Sequence, residues 1–117
     1  MVVANVEGVY EFTGRISNDK LNDFIALYTQ NLAENHQKVE QLIVQGDLKH
    51  VRQIVHSTKS NALYVAAKQL SDSCLLLEGV IDTNAQISVI QQQWEMVSKE
   101  FILVIKYLEG YLADGKK

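Results

Sequence analysis

The 117-residue sequence contains no proline and a single cysteine. Proline is the strongest helix breaker, so its absence is compatible with long uninterrupted helices. The lone cysteine, Cys74, excludes an internal disulfide, and we predict a small, buried, apolar side chain in a reducing compartment. No apolar run approaches the length of a membrane span, so we expect no direct insertion into a membrane. The net charge of −3 gives no reason to expect nucleic acid as a partner.

Motifs for nucleotide and metal binding are missing as well. The sequence has no glycine-rich phosphate loop, no P-loop and no aspartate-rich cluster, so the chain should neither bind ATP nor phosphorylate itself. The three histidines, His36, His50 and His56, lack metal-ligand spacing. On one helix His50 and His56 would point about 120° apart. We therefore expect no cofactor of the chain's own.

Apolar residues recur every three or four positions, which is typical of amphipathic helices. This period predicts helices over residues 18–44, 48–64, 67–80 and 85–113, with a cap segment over residues 1–16 that contains a short helix. We expect Ser17 or a neighbour to cap the first long helix and Gly46 to end it. Asp47 is the expected cap of the second helix, and Gly79 the expected end of the third. Short connections favour antiparallel packing. We predict an all-α, up-down-up-down four-helix bundle with a short extra N-terminal helix, in one domain of residues 1–117.

Two features of this bundle leave questions open. The apolar seam of the last helix also suits one strand of a coiled coil between chains; its members are Ile87, Ile90, Trp94, Val97, Phe101, Val104, Leu108 and Leu112. A tight turn is expected at residues 65–67. A left-handed backbone at Ala66 would cost about 1–2 kcal/mol there, because alanine has a Cβ atom.

His56 is predicted to face water. The helix that contains it directs one apolar stripe inward, and His56 lies roughly 130° from the centre of that stripe. Gln53 and Ser60 lie on the same outward side, with Lys59 on the flank. From this pattern alone, the favoured interpretation of His56 is an ordinary solvated histidine. His36, near the polar side of the first long helix, is also predicted to lie at the surface.

The stretch around His56 resembles the histidine-containing phosphotransfer (HPt) domains of two-component phosphorelays and hybrid sensor histidine kinases. The family pattern is matched at His56, Ser57, Lys59, Asn61, Ala62, Ala67, Leu70, Cys74, Leu77 and Glu78. Two glycines of the pattern are Ser60 and Ala66 here, and Thr58 replaces an apolar residue. The match extends over a helix pair and the turn between them, which makes it much more specific than an isolated His-x-x-Lys.

The resemblance implies a role for each site residue. His56 would be the phosphoacceptor, attacking through Nε2, and Glu78 would orient the ring by accepting the Nδ1 proton. Lys59 would offset the charge of the phosphoryl group. A partner would bind over Gln53, over Ser60, whose small size leaves room, and over the apolar Leu63.

The resemblance also implies partners. Receiver domains of response regulators or of a hybrid sensor kinase would donate and accept the phosphoryl group as aspartyl phosphate, and would bring their own Mg²⁺. The chain would be a phosphocarrier without kinase activity of its own. We expect a monomer in the cytoplasm, either free or as the C-terminal domain of an inner-membrane hybrid sensor kinase. The alternatives are a non-catalytic helical adaptor, in which His56 is incidental, and an oligomerisation module.

Overall fold

The computed structural model describes residues 3–115, and within them the chain forms helices and no strand. A 3₁₀ turn, Val6–Val9, leads into the short helix α1, Tyr10–Thr13. The long helix α2 follows at Asn18–Gln45. Helix α3, Leu48–Asn61, continues into a second 3₁₀ turn, Ala62–Val65. Helices α4, Lys68–Asp82, and α5, Ile87–Gly115, complete the chain.

Helices α2 to α5 form an antiparallel bundle about 46 Å long. Each packs on the next through a short loop, and α5 packs back on α2 to close the ring. The predicted all-α four-helix bundle with a short extra N-terminal helix is confirmed. The buried interior is almost wholly aliphatic and aromatic; its largest fully enclosed side chains are Phe101, Ile25, Leu70, Leu77, Ile90 and Leu108.

The seam of α5 is used within the chain. Its central members are buried in the chain's own bundle, and only Ile87 and Leu112 at its two ends retain clear exposure. These central members are therefore not available for a coiled coil between chains.

The predicted helix ends are correct at the junction of α2 and α3. Ser17 Oγ accepts a hydrogen bond from the Lys20 amide at the start of α2. Gly46 takes the left-handed conformation, with φ of 75°, just after the end of α2. Asp47 then accepts a hydrogen bond from the His50 amide and caps α3.

Two predicted ends are wrong. Gly79 does not end its helix: α4 continues to Asp82, because Val80 and Ile81 still pack against the core. The left-handed residue of this loop is Asn84 instead. The α-helical part of α3 stops at Asn61, where the backbone tightens into the 3₁₀ turn, rather than continuing to residue 64.

The N-terminal segment covers the turn between α3 and α4. The Asn5 amide donates to the Val65 carbonyl at 2.6 Å. A Cβ atom on Gly8 would lie 3.0 Å from the Tyr64 carbonyl oxygen and 3.2 Å from the Ala66 nitrogen, so any other residue would push this backbone away by a few tenths of an ångström. The predicted cap segment thus holds the end of the bundle from residue 3 onward; its first two residues lie outside the described part.

Candidate functional site

The site lies on the outer surface of the α3–α4 pair. Val51, Val55 and Thr58 of α3 are buried, and this orientation leaves His56 on the outside with 57% of its side chain exposed. The predicted outward position of His56 is therefore correct. Glu78 of α4 lies against it with only 10% of its side chain exposed.

The hydrogen bond between these two side chains fixes the imidazole. His56 Nδ1 is 2.7 Å from Glu78 Oε2. An ionised carboxylate can only accept, so Nδ1 carries the proton and donates it to this bond. In the neutral imidazole, Nε2 is consequently the nitrogen with the free lone pair, on the ring of a half-exposed side chain. A ring held in this way presents a nucleophile to a visiting molecule without having to change its tautomer.

Lys59 completes a three-residue cluster. Its Nζ donates to Glu78 Oε1 at 3.1 Å, so the two carboxylate oxygens have separate partners, Lys59 and His56. Burial opposes ionisation of Glu78, but the hydrogen bonds from His56 and Lys59 and the charge of Lys59 outweigh it. The pKa of Glu78 therefore lies below its usual value. The carboxylate stays ionised at neutral pH, as its role toward Nδ1 requires.

Cys74 lies one turn before Glu78 on α4 and is completely buried, as predicted. Burial, with a contribution from the charge of Glu78, raises the pKa of its thiol to about 12. Cys74 is therefore a neutral packing residue and supplies no nucleophile to the site.

Two hydroxyls from neighbouring helices hold the end of α3. Ser71 of α4 donates to the Lys59 carbonyl at 2.8 Å, and Tyr28 of α2 donates to the Asn61 carbonyl at 2.9 Å. Both carbonyls belong to the last turn of α3, where helical partners run out. These residues were not predicted from the sequence. The spacing of Ser71 seven residues before Glu78 could have indicated that both lie on the face of α4 toward α3.

A second ion pair lies one turn further along the same face. Arg52 contacts Asp82 with Nε at 2.5 Å from Oδ1 and Nη2 at 3.1 Å from Oδ2. Arg52 precedes His56 by four residues, and Asp82 follows Glu78 by four. Sequence reasoning missed this pair, although those equal offsets on two antiparallel helices are a signal for it.

The three residues predicted to bind a partner, Gln53, Ser60 and Leu63, are all exposed. Leu63, seven residues after His56, is one of several exposed leucines, with 46% exposure. Leu75 of α4, three residues before Glu78, is similarly open and was not predicted. The geometry thus brings His56, Lys59 and Glu78 together, surrounded by exposed polar and apolar side chains.

The other two histidines have different surroundings. His50 is as exposed as His56, but its Nδ1 lies 2.6 Å from Asp47, the cap of its own helix. His36 contradicts its predicted surface position. Its ring packs 5.3 Å from Trp94 and 5.6 Å from Phe101, and Nε2 lies 2.7 Å from Ser98 Oγ. The reason is its register: with Leu32, Val39 and Ile43 it belongs to the inward stripe of α2.

Among residues 3–115, no group of three His, Cys, Asp or Glu side chains is placed to hold a metal ion. Over the same residues, no helix is both long and apolar enough to cross a bilayer.

The fold and the site define a helical bundle with an exposed histidine oriented by a carboxylate of the next helix. The model of the Hpt domain family matches residues 23–113, and the chain belongs to that family. Hpt domains carry out histidine phosphotransfer in two-component signalling and interact with receiver domains. No curated protein and no solved structure matches the chain significantly.

Proposed function

We propose that His56 accepts a phosphoryl group from the aspartyl phosphate of one receiver domain and passes it to the aspartate of another. The observation that supports this most is the hydrogen bond of His56 Nδ1 to the nearly buried Glu78 carboxylate. In the neutral imidazole it leaves Nε2 as the nitrogen with the free lone pair, on an exposed ring. Neither His50 nor His36 combines exposure with a carboxylate held on another helix.

The transfer step follows from this geometry. The Nε2 lone pair attacks phosphorus, the bond from phosphorus to the donor's carboxylate oxygen breaks, and its electron pair leaves with the donor's aspartate. The proton on Nδ1 stays in its bond to Glu78, whose negative charge stabilises the positive charge that develops on the ring. Attack by a second receiver's aspartate reverses the step. The Mg²⁺ that assists the aspartyl phosphate belongs to the receiver.

Lys59 provides positive charge beside the phosphoryl group. In the unphosphorylated protein its ammonium binds Glu78, and it retains a quarter of its side-chain exposure. A lysine ammonium has three donors, so Lys59 can keep Glu78 and still donate to a phosphoryl oxygen. Phosphorylation then requires no rearrangement of the cluster.

The receiver would dock on the exposed surface around His56. Ser60, one turn after His56, leaves space for an incoming aspartate, and Leu63 supplies apolar contact area. Gln53 borders the other side. We further propose that the protein acts as a monomer, because the seam of α5 is already filled within the chain. Its proposed place is the cytoplasm, as a free protein or as the C-terminal part of a hybrid sensor kinase.

The test is transfer from a radiolabelled, phosphorylated receiver to the purified protein. We expect acid-labile, alkali-stable label on the native chain and none on His56→Gln. His50→Gln is the matched control, because His50 lies on the same helix with equal exposure. It should accept label at the native rate.

Each possible failure has its own meaning. A native protein that takes no label from any of several receivers would count against the relay and favour a non-catalytic adaptor. Label that persists on His56→Gln but disappears from His50→Gln would move the phosphoacceptor to His50.

A further inference from the structure

The ion pair between Arg52 and Asp82 lies next to the phosphoacceptor and has no part in the cluster of His56, Lys59 and Glu78. Both of its side chains are between about a third and a half exposed. An ion pair in such a position contributes little to stability, because water screens it and the long arginine side chain must be held still. Either side chain can therefore change its binding partner at a small cost in free energy.

The position of Arg52 places its guanidinium within the electrostatic field of the site. Residues four apart on a helix are neighbours on its surface, so Arg52 and His56 lie side by side on α3. The hydrogen bond to Asp82 raises the pKa of Arg52 against a desolvation effect, and the charges of Asp82 and, last, Glu78 add to the rise. Arg52 keeps 40% of its side-chain exposure, so packing does not confine its guanidinium to Asp82.

The charges around His56 explain why a second cation is needed. Arg52 and Lys59 of α3 face Glu78 and Asp82 of α4, and with a neutral His56 these four charges cancel. The phosphoryl group carries about −1.5 to −2 at neutral pH, and the ring that keeps its Nδ1 proton offsets only one unit of this charge. Lys59 is shared with Glu78, whose charge must remain to orient the ring. Asp82 does not orient the ring, so Arg52 is the cation that can leave its carboxylate.

We propose that Arg52 releases Asp82 and binds the phosphoryl group of phosphorylated His56. This inference rests on the proposed function of His56. The planar guanidinium suits two phosphoryl oxygens at once, as it suits the two oxygens of Asp82 in the unphosphorylated protein. Before phosphorylation, Asp82 thus occupies the guanidinium in place of the phosphoryl group. It keeps Arg52 close to the position that it takes after phosphorylation.

The experiment uses phosphoramidate, a small donor, so that no receiver surface is involved. In this reaction Nε2 forms a bond to phosphorus, the phosphorus–nitrogen bond of the donor breaks, and ammonia leaves. The titration of the phosphoryl group is then followed by ³¹P NMR in the native protein, in Arg52→Gln and in Asp82→Asn. Far-UV circular dichroism and thermal unfolding check that each variant is folded.

We expect opposite effects from the two variants. Arg52→Gln should raise the titration midpoint of the phosphoryl group by about half a pH unit, the order expected for loss of one nearby cation. Asp82→Asn should lower it, because Arg52 is then free to bind the phosphoryl group. In the double variant, the shift of the midpoint that Asp82→Asn causes should be smaller than in the native background, because Arg52 is no longer there to be released. If the ion pair only tied α3 to α4, both variants would lower the melting temperature alike and leave the midpoint unchanged.

A second readout observes the contact directly. The sequence has only two arginines, Arg15 and Arg52. On phosphorylation, the Nε–H resonance of Arg52 should move, while that of Arg15, which lies over the Tyr10 ring, should stay in place. An unchanged Arg52 resonance, or a native midpoint in Arg52→Gln, would overturn the inference and leave the relay standing. If neither phosphoramidate nor any receiver modifies native His56, the proposed function fails and the inference fails with it.

Discussion

His56 and His36 show what decides the role of a histidine in a helical bundle. Both rings have a hydrogen-bond partner on another helix, Glu78 for His56 and Ser98 for His36. The His56 ring stands over a carboxylate with most of its edge in water. The His36 ring is four-fifths buried and packs against two aromatic rings. The His56 ring is therefore accessible to a partner protein, whereas the His36 ring packs at the edge of the hydrophobic core.

The difference divides the bundle into two faces. The α3–α4 face has charged side chains whose pairing orients the His56 ring and contributes modestly to stability. The α2–α5 face around His36 contributes aromatic packing, which is worth several kcal/mol when removed. A substitution on the first face should therefore change phosphotransfer at nearly constant stability, and one on the second should do the reverse.

The largest effect should come from Ser60→Arg. The arginine would stand one helical turn from His56 and keep a receiver's aspartate out of reach. We expect transfer from a phosphorylated receiver to fall by orders of magnitude, while the melting temperature changes little because position 60 is exposed. Transfer kinetics with labelled receiver provide the measurement.

Ser60→Ala is the matched control, since it removes the hydroxyl without adding bulk. It should transfer normally. Phosphoramidate, being small, should still modify His56 in Ser60→Arg. Normal receiver-dependent transfer in folded Ser60→Arg would show that a receiver does not approach over this residue.

The reverse effect is expected from Trp94→Ala. Trp94 is 5% exposed and contacts His36 and Phe101, so its truncation should cost about 3–5 kcal/mol. Urea unfolding measures this loss, which is a large part of the 5–15 kcal/mol by which a typical folded domain is stable.

Met96→Ala, on the same helix but 57% exposed, should stay within about 0.5 kcal/mol of the native protein. Equal losses for both would contradict the register of α5. The fraction of Trp94→Ala that remains folded should still accept phosphate at His56.

Much of the fold could be predicted because local signals agreed with tertiary packing. The three-and-four spacing gave the four long helices, and Ser17, Gly46 and Asp47 marked their ends correctly. The errors lie where packing overrode a local preference. Gly79 stays helical because α4 still has a core to cover beyond it. His36 is four-fifths buried because its position on the inward stripe outweighs its polarity.

The outward position of His56 could be predicted from the wheel alone, but its partners on α4 could not. A wheel describes one helix and does not show which residue of the next helix lies opposite. Glu78 was identified only through the resemblance to the HPt family. Asp82 and Ser71 had no counterpart in that resemblance and became visible only once the two helices were side by side.

The smallest effect should appear at the turn between the two helices of the His56 face. Ala66 adopts the left-handed conformation, with φ of 55° and ψ of 32°, which answers the question that the sequence left open at this turn. Glycine would remove about 1–2 kcal/mol of steric strain there but would lose part of this to the greater freedom of the unfolded chain. We expect Ala66→Gly to stabilise the protein by about 0.5–1 kcal/mol, measured by urea unfolding, without changing phosphotransfer.

Gly46 provides the reciprocal control. Its backbone is left-handed and has open space around it, so Gly46→Ala should destabilise the protein through backbone strain alone. A destabilised Ala66→Gly would mean that the Cβ atom of Ala66 contributes more through packing than it costs in the backbone, and the turn would then be part of the support of the His56 face.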